Sequence, residues 1–234
     1  MTTAYRMLVR GLVTRGRLAA LGLLGVTGVI VALSVGLSHP FDPLRTGTDF
    51  VNAFGLSVYA PVTSLVFASA ALGDPVEDQS FVHMWLRPVA RWRIALAAYV
   101  AAFSVALPFV LATLLLAAAC IGGGAKLLVG TAESAVIAVV AYTGIFVFVG
   151  LRARRALIWG LAYILLWEGF VAAAGRNATR LAVRAYTRTL LADATGRSLR
   201  LATISIGAAV IVPVAVAMVA FALTTWRLKR MEVA

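Results

Sequence analysis

Nine carboxylates are scattered through 234 residues, and their positions decide which chemistry this chain can perform. The densest group is Asp74, Glu77 and Asp78. Three acids so close could bind magnesium, but they also suit the first turn of a helix, where carboxylates offset the macrodipole, and that reading is preferred. Glu168, in Trp167-Glu168-Gly169, is the one acid well inside an apolar run. At about 1.5 Å per residue it lies roughly 18 Å along a helix from Ala156. Ionisable groups at such depth are costly and face a cavity or a partner. Glu168 therefore either lines a substrate route or makes a structural hydrogen bond. Glu133, near the head of another apolar run, reads as a helix-start carboxylate close to water.

His39 and His83 are expected on opposite sides of a membrane, and no Cys, His or carboxylate set has ligand spacing, so no metal site is expected. Hydrolase or transferase chemistry needs paired carboxylates or a nucleophile with its base, and neither is evident. Gly122-Gly-Gly-Ala-Lys126 lacks the spacing and the hydroxyl of a phosphate-binding loop and reads as a short turn. ATP hydrolysis by that route is excluded. Cys120 is the single cysteine, so no internal disulfide is possible, and it reads as a small apolar packing residue.

The elements that must position these groups are apolar. The chain is 62% hydrophobic with mean hydropathy +0.96, and 13% of its residues are charged. So much apolar surface calls for lipid as the solvent. Net charge +12 would suggest nucleic acid in a soluble protein, but here the arginines crowd the ends of apolar runs. There they act as topology determinants and head-group contacts, so membrane lipids are the expected partner and nucleic acid is not. Arginine-rich, alanine- and valine-rich usage points to a bacterial source.

Six apolar segments emerge: Leu18–Leu37, Phe50–Leu72, Ile94–Ile121, Leu127–Leu151, Ala156–Gly175 and Leu201–Trp226. About 20 apolar residues cross the hydrocarbon, and every backbone group within it must be satisfied internally. The expectation is an all-α integral membrane protein with six transmembrane helices, forming one domain over residues 1–234. With the N-terminus inside, thirteen of the 21 basic residues fall on the inner face and eight on the outer. The positive-inside rule thus favours two cytoplasmic termini.

Residues 1–17 alternate Tyr5, Leu8, Val9, Leu12 and Val13 with Arg6, Arg10 and Arg17, the pattern of an amphipathic helix in the membrane interface. Within 176–200, on the outer side, Arg176, Arg180, Arg184 and Arg188 recur every four residues and should stack along one helix ridge. Such a helix rests on the outer leaflet, partly re-enters between the spans, or stands in solvent. Like-charge repulsion disfavours the last. The second span has a polar grain (Asn52, Ser57, Tyr59, Thr63, Ser64, Ser69) with Pro61 in its middle. Its polar face either turns to a dimer axis or conduit, or bonds neighbouring helices.

The loop 73–93 is too polar to span. It opens acidic, continues through Phe81, Val82, Met84, Trp85 and Leu86, and ends basic around Pro88. Glu77-Asp-Gln-Ser80-Phe81, then Met84-Trp-Leu-Arg87-Pro88-Val-Ala-Arg91, resembles the signature of type-2 ATP-binding-cassette permeases. In that family an acidic residue, then Gly-Thr-Leu, then leucines and a Pro-Val-Ser-Arg-like turn follow the second span. Gln79 stands here where glycine is usual. Leu165-Leu-Trp-Glu168-Gly169 and the segment ending Arg184-Ala-Tyr186…Ala192-Asp193 are similar to a bacterial branch of the same permeases.

The resemblance implies a half-transporter in the bacterial cytoplasmic membrane. Two permease chains, identical or homologous, would form the pathway, and two separately encoded ATPase subunits would drive export. No cofactor belongs to this chain, because ATP and magnesium would sit on the partner. Loop 73–93 would be the coupling helix, with Phe81, Met84 and Trp85 anchoring the contact, Glu77 and Arg91 fixing register, and Ser80, Arg87 and Pro88 completing the motif. Two other classes remain open: a secondary transporter, for which only Glu168 offers a mid-membrane coupling acid, and a non-catalytic anchor or regulatory subunit.

Overall fold

The computed structural model describes residues 2–77, 90–170, 176–199 and 204–230. Every regular element among them is helical. The order is α1 (Thr2–Leu12), α2 (Arg15–Leu37), α3 (Pro43–Phe50), a π-helix π1 (Val51–Tyr59) and α4 (Ala60–Glu77). Then follow α5 (Arg91–Ile121), α6 (Gly124–Arg152), α7 (Ala156–Ala162), a second π-helix π2 (Tyr163–Phe170), α8 (Arg176–Thr179), α9 (Val183–Thr195) and α10 (Ile206–Arg230).

Among the described residues, five helical stretches are long and apolar enough to cross a membrane: Arg15–Leu37, Pro43–Pro75, Arg91–Ile121, Gly124–Arg152 and Ile206–Arg230. This is a multi-pass membrane protein. The segment expected as a fifth span is described as Ala156–Phe170, which at about 1.5 Å per residue reaches only about 22 Å, short of the roughly 30 Å hydrocarbon. Residues 171–175 of that expected span lie outside the described residues.

The second span begins earlier than its apolar run. Asp42 caps α3 by accepting the Arg45 N–H at 3.0 Å, and Pro43 supplies a preset φ at the first helical position, so the helix starts well before Phe50. Pro61 has no N–H for the Ser57 carbonyl and its ring crowds that carbonyl. The chain just upstream is wound as π1, with the Ala60 N–H on the carbonyl of Gly55, five residues back. Between α5 and α6, Gly122 and Gly124 take positive φ (84° and 74°), which closes the helix end in a turn that other residues adopt at a cost.

Burial sorts the long helices. Within an 18-residue apolar window of each helix, 78% of the residues are buried in Pro43–Pro75 and 67% in Gly124–Arg152, against 33% in α5 and 22% in both α2 and α10. The second and fourth long helices are therefore the core, and α2 and α10 present apolar side chains such as Leu23, Ile30, Ile211 and Met218 to the surroundings. Small residues let the core pair meet backbone to backbone: a Cβ on Gly150 would collide with the carbonyl oxygen of Ser69.

The apolar stripe of α1 docks on protein. Leu8 and Leu12 are buried, and the Tyr5 hydroxyl lies 2.9 Å from that of Ser104 on α5. Arg6 and Arg10 remain exposed. Arg17 bridges the Gly11 carbonyl at 3.3 Å and the Asp74 carboxylate at 2.6 Å, so the start of α2 and the end of α4 lie at one end of the bundle.

Candidate functional site

The polar interior is built where the helices depart from regular winding. In π2, residues five apart share a face, which brings Tyr163 and Glu168 together: the Tyr163 hydroxyl donates to Glu168 Oε1 at 3.2 Å. The Tyr142 hydroxyl, from α6, donates to Glu168 Oε2. Val183, first in α9, brings its N–H to the side of this carboxylate, and the Arg184 charge faces it. Glu168 is 3% exposed and Tyr142 fully buried. A carboxylate here accepts from two phenols and lies beside a helix N-terminus, the surroundings that a buried negative charge requires. These are the hydrogen bonds that the structural reading of Glu168 calls for.

That carboxylate also explains a difference from the expected basic ridge. Arg176, Arg180, Arg184 and Arg188 do not stack on one helix, because α8 ends at Thr179 and α9 starts only at Val183, with Ala182 extended between them (φ −100°, ψ 127°). A continuous helix would commit the Val183 N–H to an internal carbonyl, whereas the break presents it to Glu168. The Tyr186 hydroxyl takes up the Arg180 carbonyl left by the break. Arg180 is exposed, Arg184 half-buried and Arg188 7% exposed. Arg188 donates to the Ser57 hydroxyl at 3.4 Å. Helix α9 is thus packed against the other helices of the bundle and does not stand apart from them.

Contacts give α9 its direction. Val183 sits at the Glu168–Tyr142 cluster, whereas Ala194 meets the position of a Cβ on Gly130 at 2.8 Å. Twelve residues of α9 (183–194) thus run antiparallel along thirteen of α6 (130–142). On the other side of the cluster, Tyr163 meets Phe146 edge-on at 6.1 Å between centroids. The pieces α7–π2 and α9 therefore follow one another along the fourth long helix, with Glu168 at their junction.

In the second span, Ser57 donates to the Asn52 carbonyl across one π turn at 2.6 Å. Tyr59 donates to the Leu21 carbonyl at 3.4 Å and accepts from the Thr113 hydroxyl at 2.9 Å. Tyr59, Thr63, Ser64 and Ser69 are buried within the single chain, while Asn52 and Ser57 are half-buried toward α9. At the far end of α9, Arg197 pairs with Asp42. The Asp42 carboxyl is held below its usual range, chiefly by the Arg45 N–H and further by Arg197.

Of the loop residues singled out for coupling, Ser80, Phe81, Met84, Trp85, Arg87 and Pro88 lie outside the described residues. Glu77 ends α4 and Arg91 opens α5. Among the described residues no group of three or more His, Cys, Asp or Glu comes together. The partners that sequence reasoning missed are Tyr142, Tyr163, Asp42 and Arg197. Only the five-residue spacing of Tyr163 and Glu168 was visible, and it points to one face only if the helix is π-wound. Comparison with protein-family models, curated proteins and solved structures finds no match to this chain.

Proposed function

We propose that this chain is the membrane-spanning permease subunit of an ATP-driven exporter, with six spans and both termini on the cytoplasmic face of a bacterial inner membrane. The observation that carries this reading is the loop pattern Glu77…Ser80-Phe81…Met84-Trp85…Arg87-Pro88…Arg91, which joins the ends of two long helices, α4 and α5. The docked α1 and the Arg17–Asp74 pair at the end where α4 leads into this loop supply a rigid base for a force applied there. Two such chains would form the pathway, and ATP-driven closure of two ATPase subunits would shift it between states through differential contacts. Membrane complexes isolated through a tag on this chain in mild detergent should contain ATPase activity and a second chain bearing a Gly-x-x-x-x-Gly-Lys-[Ser/Thr] loop. Complexes with neither refute the reading.

One observation favours a second reading, an ion-coupled secondary transporter: the half-length pieces α7–π2 and α9 meet at a buried carboxylate, as discontinuous helices do in that class. Transport abolished by an ionophore in the presence of ATP selects it. Transport abolished by ATP depletion under a maintained ion gradient selects the permease.

A further inference from the structure

The fourth long helix supplies a depth scale. Its charge-free stretch, between Glu133 and Arg152, covers about 29 Å at about 1.5 Å per residue, close to the roughly 30 Å of a bilayer core. Tyr142 falls in the middle, nine residues from one end and ten from the other. Apolar contacts place α9 on this scale. Leu191 and Ala194 lie over Gly130, and Tyr186 and Leu190 pack with Ile137 and Ala209. Val183 therefore comes to the Tyr142 turn. Arg180 stands at a similar depth, because the Tyr186 ring leans back toward the start of its helix and its hydroxyl donates to the Arg180 carbonyl.

At that depth Arg180 is exposed, and its guanidinium has no hydrogen bond or ion pair among the described residues. Arg184 is half-buried, and its Nε is buried with no hydrogen-bond partner among them. Arg188, one turn farther along α9, donates to Ser57 of π1. Three guanidiniums thus climb from the middle of the membrane toward the end that holds Asp42, and Glu168 is the one buried acid among the described residues. Hydrocarbon cannot serve such a series. A guanidinium there is costly unless water or a partner charge faces it. Both edges lie about 14 Å from Arg180, too far for its side chain to snorkel.

We propose that Arg180 and Arg184 line a water-filled route through the membrane, and that the exported solute is an anion which these guanidiniums attract through its phosphate or carboxylate groups. The proposal rests on the transport reading above and names its substrate class, whichever energy source drives it. That reading fails if no ATPase and no transport accompany the chain. The charge of the route is tested by a labelling experiment that needs neither.

The test uses the full chain in native membrane fragments open at both faces, in a Cys120→Ala background. Leu181→Cys, at an exposed position beside Arg180, is the reporter, and Ser38→Cys, exposed at the end of α2, is the reference. The probes are sulfonatoethyl and trimethylammonioethyl methanethiosulfonate, two water-borne thiol reagents of opposite charge. Walls of one charge sign and low dielectric concentrate counter-ions about tenfold or more. The ratio of anionic to cationic labelling rates should therefore be about tenfold higher at Leu181→Cys than at Ser38→Cys. Arg180→Gln, a change at an exposed side chain, should bring it back toward the reference. Labelling of Leu181→Cys by membrane-permeant N-ethylmaleimide but by neither charged reagent overturns the proposal, since that face would then lie in lipid. So does a ratio equal to that at Ser38→Cys, or one that Arg180→Gln leaves unchanged.

Discussion

Replacing Gly150 by alanine probes the contact on which the core depends. The added Cβ would stand 2.8 Å from the Ser69 Cα and 2.9 Å from its carbonyl carbon, and would also strike the carbonyl oxygen. Ordinary contact begins near 3.4 Å, and backbone on both sides leaves no side chain to swing away, so α4 and α6 must part by more than about 0.6 Å. A gap of that size forfeits about a quarter of the dispersion attraction along the facing surfaces. Overpacking of this kind costs about 1–3 kcal/mol, against a helix-propensity gain of up to about 1 kcal/mol for Gly→Ala. A net loss near 2 kcal/mol lowers the melting temperature by about 4–8 °C in a chain of this size. The assay is the loss of the monodisperse peak in size-exclusion chromatography after heating in detergent. Gly22→Ala is the internal control, because a Cβ there meets nothing within 4 Å, and its melting temperature should match or exceed the wild type. If Gly150→Ala melts with or above Gly22→Ala, the close crossing of α4 and α6 is refuted.

Three further predictions follow from the same geometry. Tyr142→Phe removes a donor from the buried Glu168 carboxylate and should cost about 1–3 kcal/mol of thermal stability, more than Tyr163→Phe, whose bond is longer; equal melting of both variants and the wild type contradicts the cluster. Because the Asp42 carboxyl is lowered in the folded state, its contribution is complete above the ordinary value of about 3.9 and is lost as pH falls through the folded value. Below pH 4 the wild type should therefore lose stability more steeply than Asp42→Asn, and parallel curves contradict the pair. In a Cys120→Ala background, Arg180→Cys should react with an impermeant thiol reagent on intact cells and Ala153→Cys should not; the reverse pattern overturns the orientation. Arg180 serves here because Arg188, on the same loop, is buried.

Long apolar runs with arginines at their ends were legible as helices, because lipid leaves the backbone no other solution. So was the oddity of Glu168, a charge where charges are costly. What periodicity could not convey was winding. Reading Arg176 to Arg188 at four-residue intervals assumes one unbroken α-helix, whereas the chain breaks at Ala182 and the new helix starts beside Glu168, a neighbour that the spacing does not announce. The pairing of Tyr163 with Glu168 likewise needs a π turn, which residue types alone do not specify. The start of the second long helix was hidden for another reason: Pro43-Leu44-Arg45 is polar at its head, and only the Asp42 cap announces it.

The central claim is that loop 73–93 docks a separately encoded ATPase, and the most direct test is quantitative co-purification. Tagged wild-type chain should retain ATPase subunits at one per permease chain. Truncating a central aromatic anchor costs about 2 kcal/mol or more at an interface, roughly thirty-fold in affinity. Phe81→Ala combined with Trp85→Ala should therefore strip the ATPase while leaving membrane yield and melting temperature unchanged. Full ATPase retention by the double variant, or no ATPase on the wild type, contradicts the account.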